Sequence, residues 1–210
     1  MNMFVVFKMK QKELEILLQK VPYYDQPNPY IEQYMTPANI AADIIYTACQ
    51  YNDIQGKTVV DLGCGTGIFS YGAKLTEAKE VIGVDIDEES IKIAKNFAEK
   101  NNTYIKFLVE DVKNVDLKCD SVIMNPPFGA QKSNRWADRG FIEKAFEISK
   151  ITYSLHLTKT IDFIEKMVSS LDGEITNYKE YNFPIKHSFS FHNKKILNVD
   201  ITLLRILTKN

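Results

Sequence analysis

From Lys57 onward the sequence alternates short apolar runs with segments of helical periodicity, and this alternation narrows its fold more than any other feature. Thr58-Val59-Val60, Val81-Ile82-Gly83-Val84, Ile105-Lys106-Phe107-Leu108-Val109 and Ser121-Val122-Ile123-Met124 read as strands. Helical periodicity follows each glycine- or acid-marked break: up to about residue 75, then over 88–100 and over 141–149. A further strand (151–155) and helix (159–171) come next. Strand–helix alternation of this kind builds βαβ units on a mainly parallel sheet. The tail differs. It carries two alternating runs, one around Ile175 and Tyr181 and one through Val199, Ile201, Leu203 and Ile206, with no helix between them. They predict an antiparallel hairpin closing one sheet edge. The expected fold is α/β: a seven-stranded, mainly parallel sheet with a C-terminal antiparallel hairpin and helices on both faces.

Ahead of this core, residues 10–19 place Leu14, Leu17 and Leu18 at helical spacing, and Pro22, Pro27 and Pro29 then punctuate an extended stretch. A second helix is expected from Thr36-Pro37, with Thr36 as N-cap and Pro37 in the first turn. No Gly/Ser linker follows. Residues 1–52 therefore read as a helical flank or lid on a core of 53–210, the whole a single domain.

Composition mainly excludes. Twenty-six basic and 27 acidic residues leave a net charge of −1, which rules out a polycationic nucleic-acid coat but not a local basic patch. Cys49, Cys64 and Cys119 are far apart with no C-x-x-C pair, so neither a disulfide framework nor a metal site is expected. The apolar start Met3–Phe7 is shorter than the roughly seven to fifteen residues of a signal-peptide core. No run approaches the ~18 apolar residues of a membrane span. A soluble, cytoplasmic chain with no membrane partner is the expectation.

Asp61-Leu62-Gly63-Cys64-Gly65-Thr66-Gly67 follows a strand and opens a helix, the setting in which glycines let a ligand approach the backbone closely. The dinucleotide spacing G-x-G-x-x-G fails, because Ile68 stands where the third glycine is required. Asp61 at the strand tip would repel a pyrophosphate. It would favour S-adenosylmethionine (SAM), which carries an ammonium and a sulfonium. The alternative is an ordinary glycine-rich turn. Asp85 ends the second strand about 20 residues beyond the turn, placed to accept from ribose hydroxyls, with Asp87 available as the following N-cap. Glu110-Asp111 ends the third strand, where a carboxylate can meet the exocyclic amine of an adenine. Taken singly, each acid is more often a solvated strand end or helix cap. Three at consecutive strand ends beside one glycine turn form a more specific set.

Asn125-Pro126-Pro127-Phe128-Gly129 follows the fourth strand. Two prolines stiffen the loop and remove two amide donors. The Asn125 side-chain oxygen and the Pro126 carbonyl can then accept both hydrogens of an exocyclic amine, turning its lone pair toward an electrophilic methyl. Phe128 offers a face for the base, an interaction worth ~1–3 kcal/mol. Taken alone, the run also fits an ordinary Pro-Pro turn.

These motifs resemble Rossmann-like class I methyltransferases, specifically the amino-methyltransferases with an N-P-P-F/Y/W loop. Leu14-x-x-Leu17-x-x-x-Val21, Glu32-Gln33-Tyr34-x-Thr36, Ile40-Ala41-Ala42, Val84-Asp85-Ile86-Asp87, Tyr153-Ser154-Leu155-His156 and Phe191-His192-x-Lys194-Lys195 narrow the match to the methyltransferase-like protein 5 family, over nearly the whole chain. The resemblance implies methylation of N6 of one adenosine in small-subunit ribosomal RNA (rRNA). It also implies a heterodimer with a small zinc-binding activator of the Trm112 type. Carried over by position, it implies that Gln33 and Thr36 reach the SAM site from the flank. Gly63, Thr66 and Ile68 would line the turn with Gly65, Asp85 would bind the ribose and Asp111 the adenine, and Asn125, Pro126, Pro127 and Phe128 would hold the target base. Thr66 departs from the family's animal members, which tend to have cysteine there, and the stretch 130–140 departs as well.

Lys132, Arg135 and Arg139 surround Trp136 just after this loop, a mixture suited to a phosphate backbone and an unstacked base, or to a solvated loop. The basic run 186–195 has the same two readings. His156 reads as structural. The competing functions are a DNA-adenine or protein-glutamine methyltransferase, and a non-catalytic SAM-binding scaffold for RNA processing.

Overall fold

The chain was analysed as a computed structural model that describes residues 9–24, 34–128, 137–186 and 196–209. Five parallel strands form the centre of its sheet: β1 (Thr58–Leu62), β2 (Glu80–Asp85), β3 (Lys106–Val109), β4 (Ser121–Met124) and β5 (Ile151–Leu157). The long strands β6 (Gly173–Lys186) and β7 (Ile196–Thr208) complete a seven-stranded sheet in the order β3-β2-β1-β4-β5-β7-β6. β7 runs antiparallel between β5 and β6, so the expected hairpin does close one edge.

Strand alternation feeds two cores. Val59, Ile123, Tyr153 and Leu155 face one apolar cluster with α1 (Gln11–Leu18), α2 (Ala38–Gln50) and α3 (Ile68–Leu75). Val60, Leu62, Val122 and Met124 face the other, with α5 (Ala137–Ile148) and α6 (Ile161–Ser170). Both faces are covered, as a sheet of buried parallel strands requires. Phe107 packs with Ile91, Ala94 and Ala98 of α4 (Glu88–Lys100) as a third cluster.

Chain order reverses at β1. The chain runs outward through β2 and β3, then returns to place β4 on the other side of β1. In open α/β sheets, ligands sit in the crevice beyond the strand ends at such a switch point. Here the glycine turn leaves β1 and the Asn-Pro-Pro-Phe loop leaves β4, side by side.

Element boundaries differ from expectation in three places. The N-cap of α2 is Pro37 (φ −57°, ψ 141°), not Thr36, and its side chain supplies no cap. Thr36 has another partner, described below. α5 starts at Ala137, before the expected residue 141, because its polar first turn with Asp138 carries no apolar period. β5 extends to Leu157 because His156 and Leu157 still pair with Thr202 and Ile201 of β7.

One polar cluster ties the flank to the sheet. Asp53 is 3% exposed, and its carboxylate accepts from Arg205 Nε at 2.8 Å, from Arg205 Nη2 at 3.3 Å and from the Tyr153 hydroxyl. Arg205 also donates to the Thr176 hydroxyl at 2.8 Å and lies over the Tyr51 ring, 4.4 Å from its centroid. Burial and the Asp53 charge push the Tyr153 phenol well above its ordinary value.

Candidate active site

The glycine turn is fastened to the end of β2. Gly63 N and Cys64 N donate to the Val84 carbonyl at 2.8 and 2.9 Å, and Gly65 N donates to Asp85 Oδ2 at 2.7 Å. Gly65 and Gly67 adopt φ of 53° and 88°, the left-handed region that favours glycine. At Gly65 the missing side chain also has a spatial use. A Cβ there would meet the Tyr24 hydroxyl at 2.2 Å, so an aromatic residue of the flank already lies against the turn. The Tyr24 hydroxyl bonds to the Ser90 side chain, and burial followed by the nearby Asp85 charge holds the phenol well above its usual range.

The acids predicted at the strand ends divide into distinct roles. Asp61 is 1% exposed, and its Oδ2 accepts from Ser70 N at 2.8 Å and Ser70 Oγ at 2.6 Å, fixing the start of α3. Its Oδ1 is buried without a partner. Burial pushes the carboxyl up to about 7, even though the two Ser70 donors pull the other way. Asp85 accepts one backbone bond on each oxygen, from Gly65 and from Asp87 at 2.9 Å, and burial raises its pKa as well. A carboxylate so placed keeps lone pairs for two further donors. Asp87, not Asp85, caps α4 by accepting from Ser90 N. Asp111 caps the short turn Val112–Asn114 and accepts from Lys113 N at 2.9 Å. Thr66 is buried, with its hydroxyl donated toward Met35 Sδ at 3.8 Å, and Ile68 is buried at the first position of α3. These groups suit a small cationic molecule bearing vicinal hydroxyls. The buried Oδ1 of Asp61 could take such a charge, and Asp85 at the neighbouring strand end could take such a diol.

Beside this turn, Asn125 Nδ2 donates to the Thr36 hydroxyl at 3.2 Å and to the Tyr34 carbonyl at 3.4 Å. Asn125 Oδ1 is buried and has no partner among the described residues. Phe128 is half-buried, edge-on to the fully buried Phe183 of β6, with ring centroids 6.2 Å apart. Sequence reasoning missed Tyr24, Tyr34, Ser70 and Phe183. Ser70 lies one helical turn from the glycines and was legible in principle, whereas Phe183 reaches the loop only through the hairpin.

His156, read as structural, is 1% exposed. Its Nε2 pairs with Ser154 Oγ at 2.7 Å, and its Nδ1 lies 3.9 Å from Asp138 Oδ2. Arg139 pairs with Glu143 on the surface of α5 at 2.6 Å. Gln33, Lys132, Arg135, Trp136 and the segment 187–195 lie outside the described residues.

Comparison with known proteins shows the family. Residues 38–158 match the methyltransferase small domain family. The rRNA N(6)-adenosine-methyltransferase METTL5 of Danio rerio is 37% identical over 204 residues, covering 94% of this chain and 98% of its own. Its Drosophila melanogaster counterpart is 32% identical, covering 94% and 96%. The crystal structure of PH1948 from Pyrococcus horikoshii superposes with a TM-score of 0.88 at 39% identity, covering 95% and 98%. The chain therefore belongs to the methyltransferase small domain family, whose cofactor is SAM, and within it to the methyltransferase-like protein 5 group.

Proposed function

We propose that this chain methylates N6 of an adenosine in small-subunit rRNA. The observation that carries the reading is the buried, partnerless Oδ1 of Asn125 on the loop leaving β4, beside the glycine turn leaving β1. That oxygen and the Pro126 carbonyl would accept the two amine hydrogens, and Phe128 would stack on the base. Pro127 would keep the loop stiff. SAM supplies the electrophilic methyl. Asp85 would hold its ribose, Asp111 its adenine and Asp61 its ammonium, with Gly63, Gly65, Thr66 and Ile68 lining the turn; Gln33 would reach the same site from the flank. No general base is needed: the amine nitrogen bonds the methyl first and releases its proton afterwards. Catalysis then rests on positioning and on hydrogen bonds to the amine. An enzyme acting on a base must take it from a single strand or flip it out of the stack.

We assign the activator partner to the β3 edge of the sheet. Among the described residues β3 pairs only with β2, and Tyr104, Ile86 and Val109 beside it are exposed by 83%, 60% and 50%. An open edge with apolar flanks suits strand addition by a second protein.

A pH dependence follows from Asp61. Its raised value means that the folded chain favours the neutral acid below about pH 7, whereas an ammonium beside it favours the carboxylate. SAM binding by calorimetry should therefore be about tenfold weaker near pH 6 than near pH 7.5, and Asp61→Asn should flatten the profile. The same shift makes Asp61 cost stability as pH rises from its unfolded value of about 4 toward 7.

The substrate class is tested with labelled SAM and a panel of unmodified small- and large-subunit rRNA, duplex DNA and protein. The chain is assayed alone and with a Trm112-type activator. Label in small-subunit rRNA supports the reading. Label confined to DNA or protein, or none despite SAM binding, contradicts it.

A further inference from the structure

We propose that Thr36 is a positioning residue that holds the Asn125 amide in the orientation the Tyr34 carbonyl selects, making residues 34–36 of the flank part of the catalytic apparatus. The proposal rests on the role given to Asn125 above and says how that role is enforced. A carboxamide is nearly symmetric in shape, and its two ends do opposite things. With Oδ1 toward the substrate it accepts from an exocyclic amine; flipped, it presents two N–H groups to another N–H₂ and blocks the site. A backbone carbonyl only accepts, so the Tyr34 carbonyl at 3.4 Å allows only the orientation with Nδ2 toward the flank. Nδ2 also donates to Thr36 Oγ1 at 3.2 Å, which pins the amide in that orientation. Nδ2 is thereby engaged by the flank, and Oδ1 is left buried and, among the described residues, unpaired.

Thr36 is itself 3% exposed, and its hydroxyl faces Asn125. A direct cofactor contact, which the family resemblance implied for it, would have to compete with that bond. The displaced helix start has the same origin: Pro37 ends the extended segment, and Thr36, two residues before α2, turns to the loop after β4 instead of capping the helix. Tyr34 and Thr36 precede residue 38, where the family match begins, whereas Asn125 lies within it.

The test uses Thr36→Val, which keeps the shape and removes the acceptor, with Thr36→Ser as the conservative rescue. In the full chain with RNA substrate and saturating SAM, Thr36→Val should lower turnover about tenfold, with SAM affinity within about twofold of wild type. Thr36→Ser should restore turnover. In parallel, the Asn125 side-chain amide signal in the NMR spectrum, identified by its loss in Asn125→Asp, should exchange its protons about threefold or more faster in Thr36→Val and normally in Thr36→Ser. Weakened SAM affinity with unchanged saturated turnover would make Thr36 a cofactor residue and overturn the proposal. So would an Asn125 amide signal indifferent to Thr36→Val. The NMR arm needs no activity. A wild-type chain that methylates nothing, with the amide response intact, would sink the functional reading and leave the positioning claim standing.

Discussion

Asn125→Ala should bind SAM as wild type does and lose turnover by at least about a hundredfold, the scale seen when one preorganised hydrogen-bonding group at a reacting centre is removed. The separation follows from placement. Asn125 is on the β4 loop, held by the flank, and makes no bond to the glycine turn or to Asp85 among the described residues. Its loss removes the acceptor for the target amine and leaves the cofactor cradle alone. Asp85→Ala should behave in the opposite way. Asp85 fastens Gly65 N and, in the proposed reading, would accept from the ribose, so SAM affinity should fall by about tenfold or more while turnover at saturating SAM survives in large part. Calorimetry for binding and steady-state kinetics for turnover read the two effects independently. Equal loss of both properties in Asn125→Ala would mean that the loop is structural.

Asp53→Ala should destabilise the chain by about 3–5 kcal/mol in chemical denaturation, far more than a typical surface substitution. The alanine would leave the Arg205 guanidinium and the Tyr153 hydroxyl buried without the carboxylate that both now address. The cluster also joins the segment before β1 to β5 and β7, strands far apart in sequence. Replacing Asp53 and Arg205 together by apolar residues should recover much of the loss, because the penalty comes from the stranded charge rather than from the pair. A cost below about 1 kcal/mol for Asp53→Ala would show that water reaches Arg205 and that the cluster is peripheral.

Much of this architecture was legible because it is local. Short apolar runs at Thr58–Val60 and Ser121–Met124 and helical spacing over Glu88–Lys100 fall where the sheet and helices are, since each pattern reports burial within its own segment. Strand-end acids were legible for the same reason. Their division of labour was not: Asp61 serves Ser70 and Asp85 serves Gly65, which depends on which backbone N–H reaches which oxygen. Thr36 shows the limit most clearly. Read locally, Thr-Pro is a helix start, but a partner 89 residues away takes the hydroxyl, and helix-start rules have no access to that contact. Tyr24 over Gly65 and Phe183 against Phe128 were invisible on the same ground, because both are meetings of segments that only the folded sheet brings together.

The most direct test of the account is the identity of the nucleoside it makes. Unmodified small-subunit rRNA is incubated with labelled SAM and the chain, with the proposed Trm112-type activator present, then digested to nucleosides and resolved by mass. The account predicts label in N6-methyladenosine at a single position, absent from the Asn125→Ala reaction. Label on a ring nitrogen, on a ribose 2′-oxygen or on any nucleoside other than adenosine would contradict it, because a loop that accepts two hydrogens from an exocyclic amine has no means of presenting those atoms to the methyl group.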